Sequence, residues 1–319
     1  MNKEIAIGID IGGTNTVIGF ADEAGNIIFR DSIRTDEYAE ADKFVKELSD
    51  HISIGIQSID PDCIIKGIGI GAPNGNFYKG TIEFAPNLRW TGIIPLADMV
   101  KSYFNIPVIL TNDANAAASG EMIYGAARGM KDFIVITLGT GLGSGIVVNG
   151  KIVYGHDGFA GELGHTIVDS HGRLCGCGRQ GCLETYVSAT GITRTVIQFL
   201  EESETVSSLR GIPTKELTSK KIYDAAKEGD QLAVDAFDFT CQILGLKLAD
   251  SVAYTSPQAI ILFGGLAKAA EFIFEPTKRY MEESMLKIYS NKVQIIPSQL
   301  PESDAAVLGA ASLIWDLDN

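Results

Sequence analysis

A chain of 319 residues with 45% hydrophobic and 21% charged content has ordinary globular composition and enough length to bury the cores of two domains. A formal net charge of -14 excludes nucleic acid and anionic membrane as main partners, because both select basic surface. Residues 1–11 are too short and too interrupted by Glu4 and Asp10 for a signal peptide, no apolar run reaches membrane-spanning length, and no disulfide framework is visible; the expectation is a cytoplasmic protein in a reducing compartment.

Residues 4–9 alternate small apolar side chains and read as a buried strand that runs into Asp10-Ile11-Gly12-Gly13-Thr14-Asn15. Strands follow at 16–20 and, after Gly25-Asn26, at 27–30. The glycines therefore sit in a hairpin, not at the start of a helix as in a dinucleotide fold, and their N–H groups are read either as an anion-binding nest or as a plain turn. Residues 39–59 carry Phe44, Val45, Leu48 and Ile52 on one helical stripe. A strand at 64–70 leads to the loop Gly71-Ala72-Pro73-Asn74-Gly75. Asn87 is then either a sugar-binding amide or a turn residue. A helix at 95–104 precedes a strand at 107–111, which runs straight into Asn112-Asp113-Ala114-Asn115 and a helix. A strand end that meets a helix start is where open α/β sheets present ligands; the competing reading of Asp113 is an ordinary helix cap.

The second half repeats this plan. A strand at 132–138 ends in the glycine-rich stretch 139–145, and strands at 146–149 and 151–153 flank an Asn149-Gly150 hairpin turn. Gly145 to Lys151 imitates a P-loop, but Ile152 stands where Ser or Thr is needed and no helix begins there. Helices are expected at 189–200, 218–228 and 231–254, the last capped by Asp230, with an exposed loop at 201–208. A strand at 258–263 ends in Gly264-Gly265, a pair that permits close approach of a base or ribose or merely tight packing. Residues 270–288 read as largely helical, 293–296 as the last strand, and Asp304 as the cap of a final helix to Trp315.

Between these parts lies the densest chemistry. Cys175, Cys177 and Cys182, with His165 upstream, supply three thiols and an imidazole, the ligand set of a closed tetrahedral zinc site. Four ligands leave no open position for water, so a structural zinc is expected rather than a catalytic one. Cys63 and Cys241 stand alone in apolar surroundings and read as core residues.

The motifs Asp10-Ile11-Gly12-Gly13-Thr14, Gly139-Thr140-Gly141, Glu162-Leu163-Gly164-His165 and the run from Cys175 to Glu184 together resemble the ROK family of repressors, open reading frames and sugar kinases. The likeness covers essentially the whole chain and is strongest to the bacterial glucokinases; the metal signature is its specific part. It implies an α/β, two-lobed actin-like ATPase/hexokinase (ribonuclease H-like) fold, with an interdomain cleft and a structural zinc module at 162–184. Residues 1–115 plus 303–319 are expected to form a small lobe and 116–302 a large one. The resemblance implies ATP-dependent phosphorylation of a hexose, glucose to glucose 6-phosphate, with Asp113 as base. It places Asn87, Asn112, Asp113, Glu162, His165 and Glu184 on the hexose. Asp10 is assigned to Mg²⁺ through water, Gly12, Gly13, Thr14, Asn15, Gly139, Thr140 and Gly141 to the phosphates of ATP, and Gly264 and Gly265 to the adenosine. His165 would turn one ring nitrogen to zinc and the other to the sugar.

A helix start is expected to lower the Asp113 pKa. The partners implied are hexose, ATP and a second copy of the chain. The family often has Pro-Gly near the sugar, whereas here Asn74 separates Pro73 from Gly75. That departure leaves open a kinase of fructose, mannose, allose or N-acetylmannosamine. A sugar-sensing relative without catalysis is the rival from another class, although the repressors' N-terminal helix-turn-helix is not expected in a chain that starts at its first strand.

Overall fold

The computed structural model describes residues 3–301 and 303–315; residues 1–2, 302 and 316–319 of the lobes expected above lie outside it. Two five-stranded mixed sheets dominate. The first contains β1 (Glu4–Ile11), β2 (Asn15–Asp22), β3 (Ile27–Arg34) and β4 (Ile64–Gly71). A three-stranded antiparallel sheet of β5 (Gly75–Asn76), β6 (Thr81–Glu83) and β7 (Ile93–Ile94) follows, before β8 (Val108–Thr111) completes the first sheet in the order β3-β2-β1-β4-β8. The second is built from β9 (Phe133–Leu138), β10 (Leu142–Val148), β11 (Lys151–Ile152), β12 (Ala259–Phe263) and β13 (Gln294–Pro297), in the order β11-β10-β9-β12-β13. Each sheet is an antiparallel meander extended by two parallel strands, so the chain carries one plan twice.

Eight α-helices complete the described residues: α1 (Ala41–Ser58), α2 (Leu96–Lys101), α3 (Asp113–Ile123), α4 (Ala189–Glu202), α5 (Ser219–Lys227), α6 (Gln231–Thr255), α7 (Phe274–Ser284) and α8 (Ala305–Trp315). Helix α1 buries Phe44, Val45, Leu48 and Ile52 in one core with Ile7, Ile9 and Ile68 of the first sheet. Helices α4 to α7 cover one face of the second sheet through a larger core around Ile134, Ile136, Phe237 and Leu244. Between the sheets lie α8, apolar all round and packed on β1 and β4, and α3, packed on both α8 and β10.

The layered arrangement explains a misread boundary. The glycine-rich stretch 139–145 is not all turn: β10 already begins at Leu142 and pairs with β9 through Gly143 and Gly145. A methyl at Gly145 would stand 2.6 Å from both the Ala114 carbonyl oxygen and the Ala118 Cβ, so this glycine lets α3 settle onto the strand. Gly145→Ala should therefore cost about 1–3 kcal/mol, read from urea unfolding midpoints, although alanine is normally the better strand residue. Equal or higher stability would contradict the packing.

Other expectations need correction. Residues 270–288 are not one helix. Ala270, with φ 25° and ψ -88°, kinks the short 3₁₀ stretch Leu266–Phe272 from within, and α7 starts only at Phe274. Pro276 explains the late start, since proline is tolerated in the first turn of a helix and not in its interior. Helix α2 stops at Lys101, short of 104. Cys63 is half-buried at the edge of the first core, whereas Cys241 is fully buried. The Asn149-Gly150 turn does have the two positive φ angles (52° and 74°) of a tight hairpin.

Candidate active site

Parallel strands β1, β4, β8, β9 and β12 all deliver their carboxyl ends to one cleft of about 550 Å³, within the usual range for small-ligand sites. Asp10 comes from the end of β1, Pro73 and Asn74 from the loop after β4, and Asn112 and Asp113 from the end of β8. Gly139, Thr140 and Gly141 follow β9, and Gly264 follows β12. Asn87, Glu162 and Glu184 complete the predicted residues on its wall. His165, Gly12, Gly13, Thr14, Asn15 and Gly265 do not line it. Gly13 packs against the backbone of Asn87, so the first glycine turn stands at the cleft's edge. Gly265 lies in an adjacent groove with Tyr223, Leu266, Lys268 and Ala269. Thr137, Ser144 and Asn74 line the cleft and were not singled out from sequence as ligand groups.

The two readings of Asp113 separate cleanly. Asn112 is the helix cap: its Oδ1 accepts a hydrogen bond from the Asn115 N–H at 2.7 Å. Asp113, one residue on, opens to the cleft with its Oδ1 on the Ala114 N–H at 2.8 Å. Its pKa moves opposite to the sequence expectation. Protein crowds the carboxyl on every side but the cleft, and this desolvation pushes it above the ordinary range; the N–H groups of Ala114 and Asp113 itself pull the other way and lose. Burial likewise raises Glu162, opposed by His165 and reinforced by the charges of Asp113 and Glu184. Asp10 is pushed up to about 6, chiefly by burial and then by repulsion from Asp113.

Four carboxylates thus share a cleft whose described lining contains no lysine or arginine. Such a site attracts a cation and donor-rich neutral ligands and repels a bare anion. The sign of the Asp10 shift can be tested. A carboxyl whose pKa is higher folded than unfolded contributes stability below about pH 4 that is lost as pH rises through about 6. Asp10→Asn should therefore stabilise the cation-free protein at pH 8 by on the order of 1–3 kcal/mol in urea unfolding and by nothing at pH 4. A variant destabilised at pH 8 would show that Asp10 is held in a favourable charged state.

A candidate metal site borders this cleft. Ligand atoms of His165, Cys175, Cys177 and Cys182 all lie within 4.8 Å of one another. Cys177 and Cys182 Sγ are 3.6 Å apart, and Cys175 Sγ is 3.8 Å from His165 Nδ1. A tetrahedral zinc with these donors has neighbouring ligands about 3.5–3.8 Å apart, so the residues fit the ion, with Nδ1 the imidazole donor. Burial opposes ionisation of Cys177, but hydrogen bonds from Arg179 outweigh it and bring the thiol down to about 6, which suits a thiolate ligand. Glu184 joins module to cleft: its Oε1 lies 2.9 Å from Cys175 Sγ and 3.8 Å from His165 Nδ1. A Cβ at Gly141 would stand 2.5 Å from Glu184 Oε2, so the glycine leaves room for the carboxylate in this orientation.

The second glycine turn is fastened from behind. Gly139 and Thr140 carbonyls accept from the Ala189 N–H at 2.9 Å and the Thr190 hydroxyl at 2.7 Å, both at the start of α4. At the opposite rim, Asn74 holds φ 51° and donates through Nδ2 to the carbonyls of Glu83 (2.9 Å) and Phe84 (3.2 Å). Asparagine thus fills a left-handed position that favours glycine, and adds a tie to the loop leading to Asn87.

A profile of the ROK family matches residues 6–316. The chain is 36% identical to the glucokinase of Halalkalibacterium halodurans, over 100% of this chain and 97% of that protein. It is 30% identical to a xylose repressor of Caldicellulosiruptor bescii, over 98% of this chain and 79% of the repressor. A solved structure of a ROK family glucokinase from Streptomyces griseus in complex with glucose and AMPPNP aligns with a TM-score of 0.80 at 35% identity, covering 97% of this chain and 98% of that one.

Proposed function

The chain belongs to the ROK family, and from that membership and its carboxylate-lined cleft we propose that it is an ATP-dependent hexose kinase that converts glucose to glucose 6-phosphate. The observation that carries the reading is Asp113: a desolvated carboxylate beside the Asn112 helix cap, at the junction of strand and helix in the cleft. Phosphoryl transfer asks mainly for positioning and charge stabilisation. Asp113 accepts the proton of the sugar's 6-hydroxyl as that oxygen attacks the γ-phosphorus of ATP. Its raised pKa makes it a better base than a helix-start carboxylate in water.

Glu162 and Glu184 accept hydrogen bonds from sugar hydroxyls, an arrangement suited to a neutral donor-rich ligand. Asn87 and Asn112 offer amides; Asn112 keeps its Nδ2 for this, since its Oδ1 is engaged in the cap. His165 Nε2 is assigned to a sugar hydroxyl, with Nδ1 kept for the metal. Gly12, Gly13, Thr14 and Asn15 at the cleft's edge, and Gly139, Thr140 and Gly141 on its wall, are assigned to the phosphates as two backbone nests. Gly264 and Gly265, with the Tyr223 groove, take the adenosine. Mg²⁺, when bound with ATP, supplies the charge neutralisation that this acidic cleft lacks, and Asp10 is the residue fitted to hold it. Zinc, when bound, supplies a rigid anchor for His165 and the acids beside it.

Free thiols and the use of ATP suit the cytoplasm, and no helix among the described residues is long and apolar enough to cross a membrane. Likeness to the family supports a homodimer, which sedimentation would register at twice 34.1 kDa.

A coupled ADP-release assay over glucose, fructose, mannose, allose and N-acetylmannosamine tests the proposal. Glucose should give the largest kcat/KM. A larger value for another hexose moves the substrate and keeps the reaction class. The similarity to a xylose repressor supports one other reading, a sugar sensor; glucose binding without turnover of any hexose would establish it.

A further inference from the structure

Ser144 has no part in the roles assigned above, yet it is 3% exposed and lines the cleft. It lies on β10, three residues beyond Gly141 of the phosphate turn. Its hydroxyl donates to the carbonyl oxygen of Gly161 and accepts from the Leu163 N–H at 3.2 Å. One oxygen therefore clasps the peptide groups on both sides of Glu162. The clasped segment continues into the short 3₁₀ turn Leu163–His165, where the His165 N–H donates to the Glu162 carbonyl at 3.1 Å. Among the described residues, no hydrogen bond holds the Glu162 carboxylate itself, so its direction is set by this backbone.

We propose that Ser144 is a positioning residue for sugar recognition: its hydroxyl fixes the Gly161–Leu163 backbone and so aims Glu162 at the hexose, tying the sugar acid to the strand that leaves the phosphate turn. The inference rests on the kinase reading only for the identity of the ligand. Alanine at 144 would leave the Leu163 N–H bonded to Gly161 O at 2.9 Å, and would remove only the tie to β10. The loss should appear as misdirection of Glu162 rather than as unfolding.

The test is a cycle of Ser144→Ala, Glu162→Gln and the double variant, with glucose affinity measured by calorimetry and KM and kcat by ADP release. Ser144→Ala should weaken glucose about tenfold, change kcat less than about threefold, leave the KM for ATP in place and retain one zinc per chain. The double variant should be no more than about twofold worse than Glu162→Gln, because Ser144 acts through Glu162. Unchanged glucose affinity in Ser144→Ala, or losses that multiply in the double variant, would overturn the proposal. If the alanine variant fails to fold, Ser144→Thr and Ser144→Val, equal in shape and differing in the hydroxyl, decide the matter. Threonine should bind glucose about tenfold more tightly than valine, and equal affinities would overturn the proposal. Calorimetry separates the two claims: a wild-type protein that binds glucose without turnover ends the kinase reading and leaves this test intact.

Discussion

Replacing Asp113 with asparagine is expected to lower kcat by about 10²–10⁴ while glucose affinity stays within a few-fold of wild type. The amide keeps the shape and the hydrogen bond to a sugar hydroxyl, and loses the capacity to take its proton. The fold is not expected to suffer, because the helix cap is the neighbouring Asn112 and not Asp113. Removing a desolvated charge should if anything stabilise the unliganded protein, as expected for Asp10. A loss of kcat accompanied by a matching rise in glucose KM would mean that Asp113 binds the sugar rather than activating it. Full turnover would remove it from the chemistry. Because its folded pKa is raised, activity should fall as pH drops through the ranges in which Asp113 and Asp10 (about 6) take up protons, and should recover as pH is raised again.

The second large effect concerns the metal. Cys177→Ser should abolish zinc retention and raise the glucose KM by about 100-fold or more, with the KM for ATP changing far less. Glu184 carries the effect: it sits two residues after Cys182, with one carboxylate oxygen against Cys175 and the other beside Gly141 of the second glycine turn. Loss of the ion frees the thiols to repack and releases both His165 and Glu184, so metal and sugar binding should disappear together. The phosphate turn is fastened independently by Ala189 and Thr190, which is why nucleotide binding should survive. Metal content by elemental analysis and glucose affinity by calorimetry, on the same preparation, check this; sugar affinity retained without metal would break the proposed link.

The sequence reveals what is periodic or chemically unusual. The duplicated strand–glycine turn–strand plan, the thiol cluster and the crowding of polar groups at Asn112-Asp113-Ala114-Asn115 all have local signatures. Features that depend on a distant segment were harder to read. β10 starts inside a glycine run because α3, some thirty residues earlier, needs the room at Gly145. The raised pKa of Asp113 comes from walls contributed by both sheets, which outweigh the helix start that local reasoning relied on. Ser144 looks like a spacer in a glycine turn, and its role emerges only when the loop at Gly161 is folded beside it. The break at Ala270 did leave a sign in Pro276, which marks the first turn of a new helix.

The most direct measurement is a crystal structure with glucose and a non-hydrolysable ATP analogue, taken from enzyme shown to be active. Glucose should lie with its 6-hydroxyl within about 2.6–3.2 Å of the Asp113 carboxylate, with Glu162 and Glu184 on its other hydroxyls and one zinc among His165, Cys175, Cys177 and Cys182. A sugar bound away from these acids, or four metal-free side chains in active enzyme, would contradict it.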